Sequence, residues 1–127
     1  KVADRIKEQP EIRPETESRV ERGGTETASR LNAEGFRLMK NGRYAEAIPV
    51  LAEAVRSFPP GQKNLTYAYA LYNLGRSLRL VGRADLAIPI LEERMKFANQ
   101  RHIVARELEQ ARSELYGRED FDNVRFN

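Results

Sequence analysis

The chain has 127 residues, 40% of them hydrophobic and 32% charged, with a formal net charge of +3. This allows one modest core beneath a well-solvated exterior. The absence of cysteine excludes disulfides and thiolate metal sites. The small, interspersed charge excess lacks the concentrated basic face of a nucleic-acid binder, and no apolar run reaches the roughly 18 residues needed to cross a bilayer.

Residues 1–27 hold seven acidic and six basic side chains, Pro10, Pro14 and the Gly23-Gly24 pair. That composition predicts an arm or linker, in which Pro10 would end any short helix over Val2 to Glu8. From Thr27 as an N-cap, Ala28, Leu31, Gly35 and Leu38 recur every three or four residues and predict a first helix over about 28–41. A second, about 44–57, carries Ala47, Ile48, Leu51, Ala54 and Val55 and is stopped by Pro59-Pro60-Gly61. Asn64 is placed to cap a third, about 65–81, with Ala68, Leu71, Leu74, Gly75 and Leu78 on one face. A fourth covers about 84–98. Asn99 offers a cap for a fifth, about 100–115, with Val104, Leu108, Ala111 and Leu115 inward and Arg101, Arg106, Glu109 and Arg112 outward. The structured domain is then 28–115. Gly117 is placed to end the fifth helix, and residues 116–127 read as a frayed tail whose Phe121, Val124 and Phe126 also fit a short docking segment.

Two of these helices share a sequence. GRYAEAIPVL from Gly42 returns as GRADLAIPIL from Gly82, an offset of 40 residues, and Ala28, Leu31, Gly35 and Leu38 return as Ala68, Leu71, Gly75 and Leu78. A period of roughly 20 to 50 residues marks a helical array, in which each unit buries its apolar face only against a neighbour. Pro49 and Pro89 hold the same place in both units, which predicts a site near a helix start or a gentle bend.

The pattern resembles the tetratricopeptide repeat, a helix-turn-helix unit of about 34 residues. The residues that carry the likeness are Leu31, Gly35, Leu38, Tyr44, Ala47, Leu51, Ala54 and Pro59 in the first unit and Leu71, Leu74, Gly75, Leu78, Ala87 and Leu91 in the second. Glu34, Arg94 and the insertion over 60–65 depart from it, Glu34 suggesting an exposed flank and Arg94 a looser join to the last helix. The resemblance implies an all-α fold of helical hairpins in a short right-handed α-solenoid with a capping helix. Gly35 and Gly75 would let paired helices approach at Ala47 and Ala87. It also implies a concave face that binds a peptide or partner segment. Carried over by position, that face takes Asn32, Phe36 and Met39 from the first helix, Tyr69, Tyr72, Arg76 and Arg79 from the third, and Arg106 from the closing helix. The competing reading packs Tyr69 and Tyr72 into the core or against the Pro59-Pro60 loop and leaves the arginines as solvated charge. Asn32 and Phe36 do not match the family's carboxylate clamp, whereas Arg76 and Arg79 favour an acidic segment.

Catalysis has little support. There is one histidine, His102, at a helix start, and the sequence neighbours Glu92-Glu93 and Glu119-Asp120 point apart on a helix. The expectation is a noncatalytic protein-interaction scaffold with no cofactor, no metal and no nucleic acid. A self-associating subunit of a larger assembly, or an accessory domain of a multidomain bacterial signalling protein, is the alternative. The acidic stretch of Glu11, Glu15 and Glu17 is a candidate occupant of the chain's own groove. The lack of a signal segment favours the cytoplasm, and an anchor upstream of Lys1 would place the protein outside it.

Overall fold

Apolar residues three and four apart produce five helices among the described residues: α1 (Arg19–Lys40), α2 (Tyr44–Arg56), α3 (Leu65–Leu80), α4 (Ala84–Arg94) and α5 (Arg101–Arg125). The computed structural model describes the backbone of residues 19–59 and 63–125, and the side chains of 26–59 and 63–117. The all-α class that the spacing predicts is the one observed. The Val2 to Glu8 helix, the acidic segment around Glu11 to Glu17, and Phe126 lie outside the described residues.

The repeated glycines terminate the first helix of each hairpin in the same way. Gly42 (φ 76°) and Gly82 (φ 90°) adopt the left-handed conformation that glycine enters without a Cβ penalty. The Arg43 amide donates to the Leu38 carbonyl at 2.9 Å and the Gly42 amide to that of Met39 at 2.9 Å. At the second turn Arg83 donates to Leu78 at 2.8 Å and Gly82 to Arg79 at 2.9 Å. Both are Schellman closures, and they send α2 and α4 back along α1 and α3. Asn64 caps α3, its Oδ1 accepting from the Thr66 amide at 2.7 Å and the Tyr67 amide at 3.3 Å. Pro49 and Pro89 sit on the exposed sides of α2 and α4, where the helical donors they remove cost least.

Each helix packs on the next in chain order, and α3 also touches both α1 and α5. Leu38, Ala47 and Leu51 of the first hairpin join Leu74, Leu78, Ala84, Ala87, Ile88 and Leu91 of the second in one core that Val104, Leu108 and Ala111 of α5 complete. Close approach within a hairpin is set by glycine against leucine. A Cβ on Gly75 would lie 2.6 Å from Leu91 Cδ2, and one on Gly35 would lie still nearer Leu51. The partners are thus the leucines one turn beyond Ala47 and Ala87. At the far end of the hairpins the rings of Phe58, Tyr67 and Phe97 form a chain, with centroids 5.4 and 6.1 Å apart.

Three boundaries differ from expectation. Helix α1 begins at Arg19, so Thr27 is an interior residue rather than a cap. The Gly23-Gly24 pair weakens a helix by about 1 kcal/mol per glycine but, without a proline, does not break it. Helix α4 ends at Arg94 rather than near Ala98, because the Arg94 guanidinium reaches forward to the carbonyls of Phe97 (3.4 Å) and Asn99 (2.9 Å) and draws the chain into a turn. Gln100, with φ 54°, then stands where Asn99 was expected as the cap, its carbonyl accepting from Ile103 and Val104. Finally, α5 runs through Gly117 to Arg125, so that much of the expected tail is helix. A single glycine without a following proline does not stop it.

Candidate functional site

Positions 72, 76 and 79 of α3 lie at i, i+4 and i+7, and positions 103, 106, 107 and 110 of α5 follow the same rule, so each set shares a helix face. Where these faces meet, an open cleft of about 460 Å³ is lined by Tyr72, Arg76, Arg79, Ile103, Arg106, Glu107 and Gln110. Its floor is an ion-pair network. Arg76 Nη1 donates to Glu107 Oε1 at 2.9 Å, Arg79 Nε donates to Glu107 Oε2, and Arg79 Nη1 donates to Glu114 Oε2 at 2.7 Å. Gln110 Nε2 donates to the same Glu114 oxygen at 3.1 Å.

Burial differs sharply within this network. The Glu107 side chain is 6% exposed and that of Arg79 13%, while that of Arg76 is 38% exposed. Burial alone would lower the pKa of Arg79, but its bonds to Glu107 and then Glu114 outweigh that and raise it. Burial raises the pKa of the Tyr72 hydroxyl, Glu107 adds to the rise, and Arg76 and Arg79 oppose it. Ile103 (40% exposed) and Arg106 stand open at the rim, and no described residue bonds or pairs with the Arg106 guanidinium.

The eight residues placed on the concave face by resemblance do not all share a surface. Tyr72, Arg76, Arg79 and Arg106 come together in the cleft, and Phe36 is half-buried on α1. Asn32 is 1% exposed and accepts a hydrogen bond from Asn73 Nδ2 at 3.0 Å, which makes it a buried clasp between α1 and α3. Met39 is in the core. Tyr69 is buried in the region of Arg94 and Asn99, and burial raises the pKa of its hydroxyl. Asn32, Met39 and Tyr69 are therefore corrected from groove to interior, because α3 covers the α1 side and the α4–α5 turn covers Tyr69. Ile103, Glu107 and Gln110 were missed, although Glu107 between Val104 and Leu108 interrupts an apolar stripe and signals a buried acid in need of a cation.

Arg94 is the other buried cation, held by the two carbonyls already named and set 5.8 Å from the Phe97 ring centroid. Desolvation lowers its pKa. It fastens the α4–α5 turn rather than loosening it. Glu34 is exposed and paired with Arg37, as a flank facing solvent requires.

His102 is exposed at the start of α5, Glu92 pairs with Arg112 at 3.0 Å, and Glu93 pairs with Lys96 at 2.9 Å. Among the described residues no group of three or more His, Cys, Asp or Glu side chains is placed to hold a metal ion, and no helix is long and apolar enough to cross a membrane. Fixed guanidiniums beside Tyr72 and Ile103 suit a carboxylate flanked by apolar surface. Compared with known proteins, the chain matches no family model, no curated protein and no solved structure.

Proposed function

We propose that the chain is a noncatalytic protein-interaction module of the tetratricopeptide type, holding a peptide segment of a partner protein in the cleft between α3 and α5. The duplicated hairpins, their matching glycine closures and the glycine-against-leucine contacts support the repeat reading. The observation that carries the binding reading is the cleft itself. Three arginines and one glutamate line it, beside a tyrosine and an exposed isoleucine. Aromatic and arginine anchors of this kind are enriched at interface hot spots. Charge complementarity favours a segment with acidic side chains next to an apolar one.

Peptide-display selection followed by amide chemical-shift mapping tests this. Selected peptides are expected to be acidic and to perturb Tyr72, Ile103 and Arg106, and Arg106→Glu should abolish binding. Binders that map to α2, or that tolerate Arg106→Glu, overturn the assignment.

A second reading, self-association, rests on a different surface. Leu80, Val81 and Leu86 are 38%, 39% and 44% exposed around the second glycine turn, where the first turn has Lys40, Asn41 and Glu46. Sedimentation across a range of concentrations separates the two. A monomer throughout removes self-association, and a dimer dissociated by Leu86→Glu supports it.

A further inference from the structure

We infer that Glu107 is a built-in competitor for the cleft: its carboxylate occupies Arg76 and Arg79 in the free protein, and a carboxylate of the bound segment takes its place at Arg76, the open end, while Glu107 keeps Arg79. This rests on the proposal that the cleft binds peptide. Among the described residues Glu107 is the only carboxylate lining the cleft, and its two oxygens are divided between the two arginines. Glu107 therefore presents to α3 the same group that an acidic ligand would.

Three features make exchange the expected event rather than a permanent lock. The Arg76 end is open, its side chain 38% exposed, so a second carboxylate can approach without first opening the core. Glu107 keeps its bond to Arg79, which also holds Glu114, so neither the buried acid nor the more buried guanidinium is left bare during exchange. The balance of charge also favours an incoming acid. The lining carries two more positive than negative groups, and one more when Glu114 is counted. Arg106 has no described partner and sits where it first meets the ligand. Affinity in the native protein is reduced by the fraction of molecules in which Glu107 holds Arg76. The same occupancy rejects neutral segments, which gain nothing from displacing an acid.

The test uses a capped, fluorescently labelled hexapeptide alternating leucine and glutamate, with its glutamine counterpart as control. Three proteins are compared: the native chain, Glu107→Gln and Glu109→Gln. Both variants remove one negative charge, but Glu109 is exposed outside the cleft lining. Glu107→Gln should bind the glutamate peptide about two- to fivefold more tightly than the native chain, the range of a partly exposed arginine–carboxylate pair. Glu109→Gln should change affinity far less. Equal gains in the two variants, or no gain in Glu107→Gln, overturn the inference.

A second measurement on the native chain stands if Glu107→Gln fails to fold. Saturation with the glutamate peptide should shift the Arg76 Nε–Hε resonance. A shift at Ile103 with none at Arg76 overturns displacement while leaving peptide binding in place. Absence of both shifts overturns both proposals.

Discussion

One methyl group added at Gly75 tests the packing rule that builds both hairpins. The new Cβ would stand 2.6 Å from Leu91 Cδ2, 2.7 Å from Cγ and 3.5 Å from Cδ1. Carbon atoms in favourable contact lie about 3.5–4.0 Å apart, so the two nearest approaches are short by about 1 Å. Because Cγ is one of the crowded atoms, swinging a terminal methyl does not relieve the clash. Leu91 is fully buried, so the remaining way out is separation of α3 from α4. Overpacking of this kind costs about 1–3 kcal/mol, while replacing glycine by alanine within a helix returns about 1 kcal/mol. Gly75→Ala should therefore destabilise the chain by up to about 2 kcal/mol in urea unfolding followed by far-ultraviolet circular dichroism. The decisive arm is Leu91→Ala. Alone it should cost about 2–5 kcal/mol. In its background the Gly75 methyl enters vacated space, the helix-propensity gain appears unopposed, and Gly75→Ala becomes stabilising. That reversal is a coupling of about 1–3 kcal/mol. If Gly75→Ala stabilises both backgrounds equally, the glycine is not there for close approach and the reasoning fails.

Other consequences follow from buried polar groups. Asn32→Leu strands the Asn73 amide in the interior and should cost about 1–3 kcal/mol, most of it recovered in Asn32→Leu/Asn73→Leu, because no polar group is then orphaned; an additive double mutant would contradict this. Arg94→Ala should lose about 2–4 kcal/mol by opening a void and stripping donors from the Phe97 and Asn99 carbonyls, and Arg94→Met, which fills the space without a charge to desolvate, should lose less. Equal losses in denaturant unfolding would refute that account. Burial raises the pKa of Tyr67, Tyr69 and Tyr72 above the ordinary 10.0. The unfolded chain then gives up these protons first. The contribution to stability is whole below pH 10 and is lost as pH climbs through the raised folded values. Ultraviolet titration of the folded and urea-unfolded chain checks this, and superimposable curves would disprove it.

The helical class and the hairpin turns were legible because each follows from local rules. Gly42 and Gly82 stand where a left-handed residue is needed, and Asn64 where a cap is needed. The groove was only half legible. Tyr72, Arg76 and Arg79, placed by position in the repeat pattern, and Arg106, added from the closing helix, line the cleft, but nothing local separates Asn32 or Met39 from them. An α1 residue becomes interior when α3 lies over it, and an α3 residue stays exposed when α5 passes at a greater distance; both depend on a neighbour 28 to 41 residues away in the chain. Arg94 was misread for a related reason. A guanidinium at a position that holds alanine in the first unit suggests poor packing, unless the carbonyls of a turn three to five residues ahead are known to point back at it. The length of α5 was underestimated because Gly117 was given the stopping power that Gly42 and Gly82 have. Those two are left-handed, whereas Gly117 continues the helix.

Comparison of the two hairpins position by position explains why the cleft lies at the second one. At an offset of 40, Asn32, Phe36 and Met39 of α1 become Tyr72, Arg76 and Arg79 of α3, and Ala54 of α2 becomes Arg94 of α4. The residues that set the backbone, Gly35 with Leu51 and Gly75 with Leu91, are unchanged in kind. The scaffold therefore repeats while the side chains on its next-neighbour face do not. The α1 set ends in a buried amide clasp and a core methionine, which bring α3 close. The α3 set carries long cations that meet α5 through ion pairs, which hold it at arm's length. A charged join between helices is wider than an apolar one and stays partly wetted, so this substitution pattern makes an open cleft at one interface of the stack and a sealed core at the other. Replacing Arg76 and Arg79 together by phenylalanine and methionine, the residues of the first unit, with Glu107→Gln so that no buried acid is stranded, should close the cleft and bury Ile103. Protection of the Ile103 amide from hydrogen exchange would rise; unchanged protection would show that α5, not the arginines, sets the spacing.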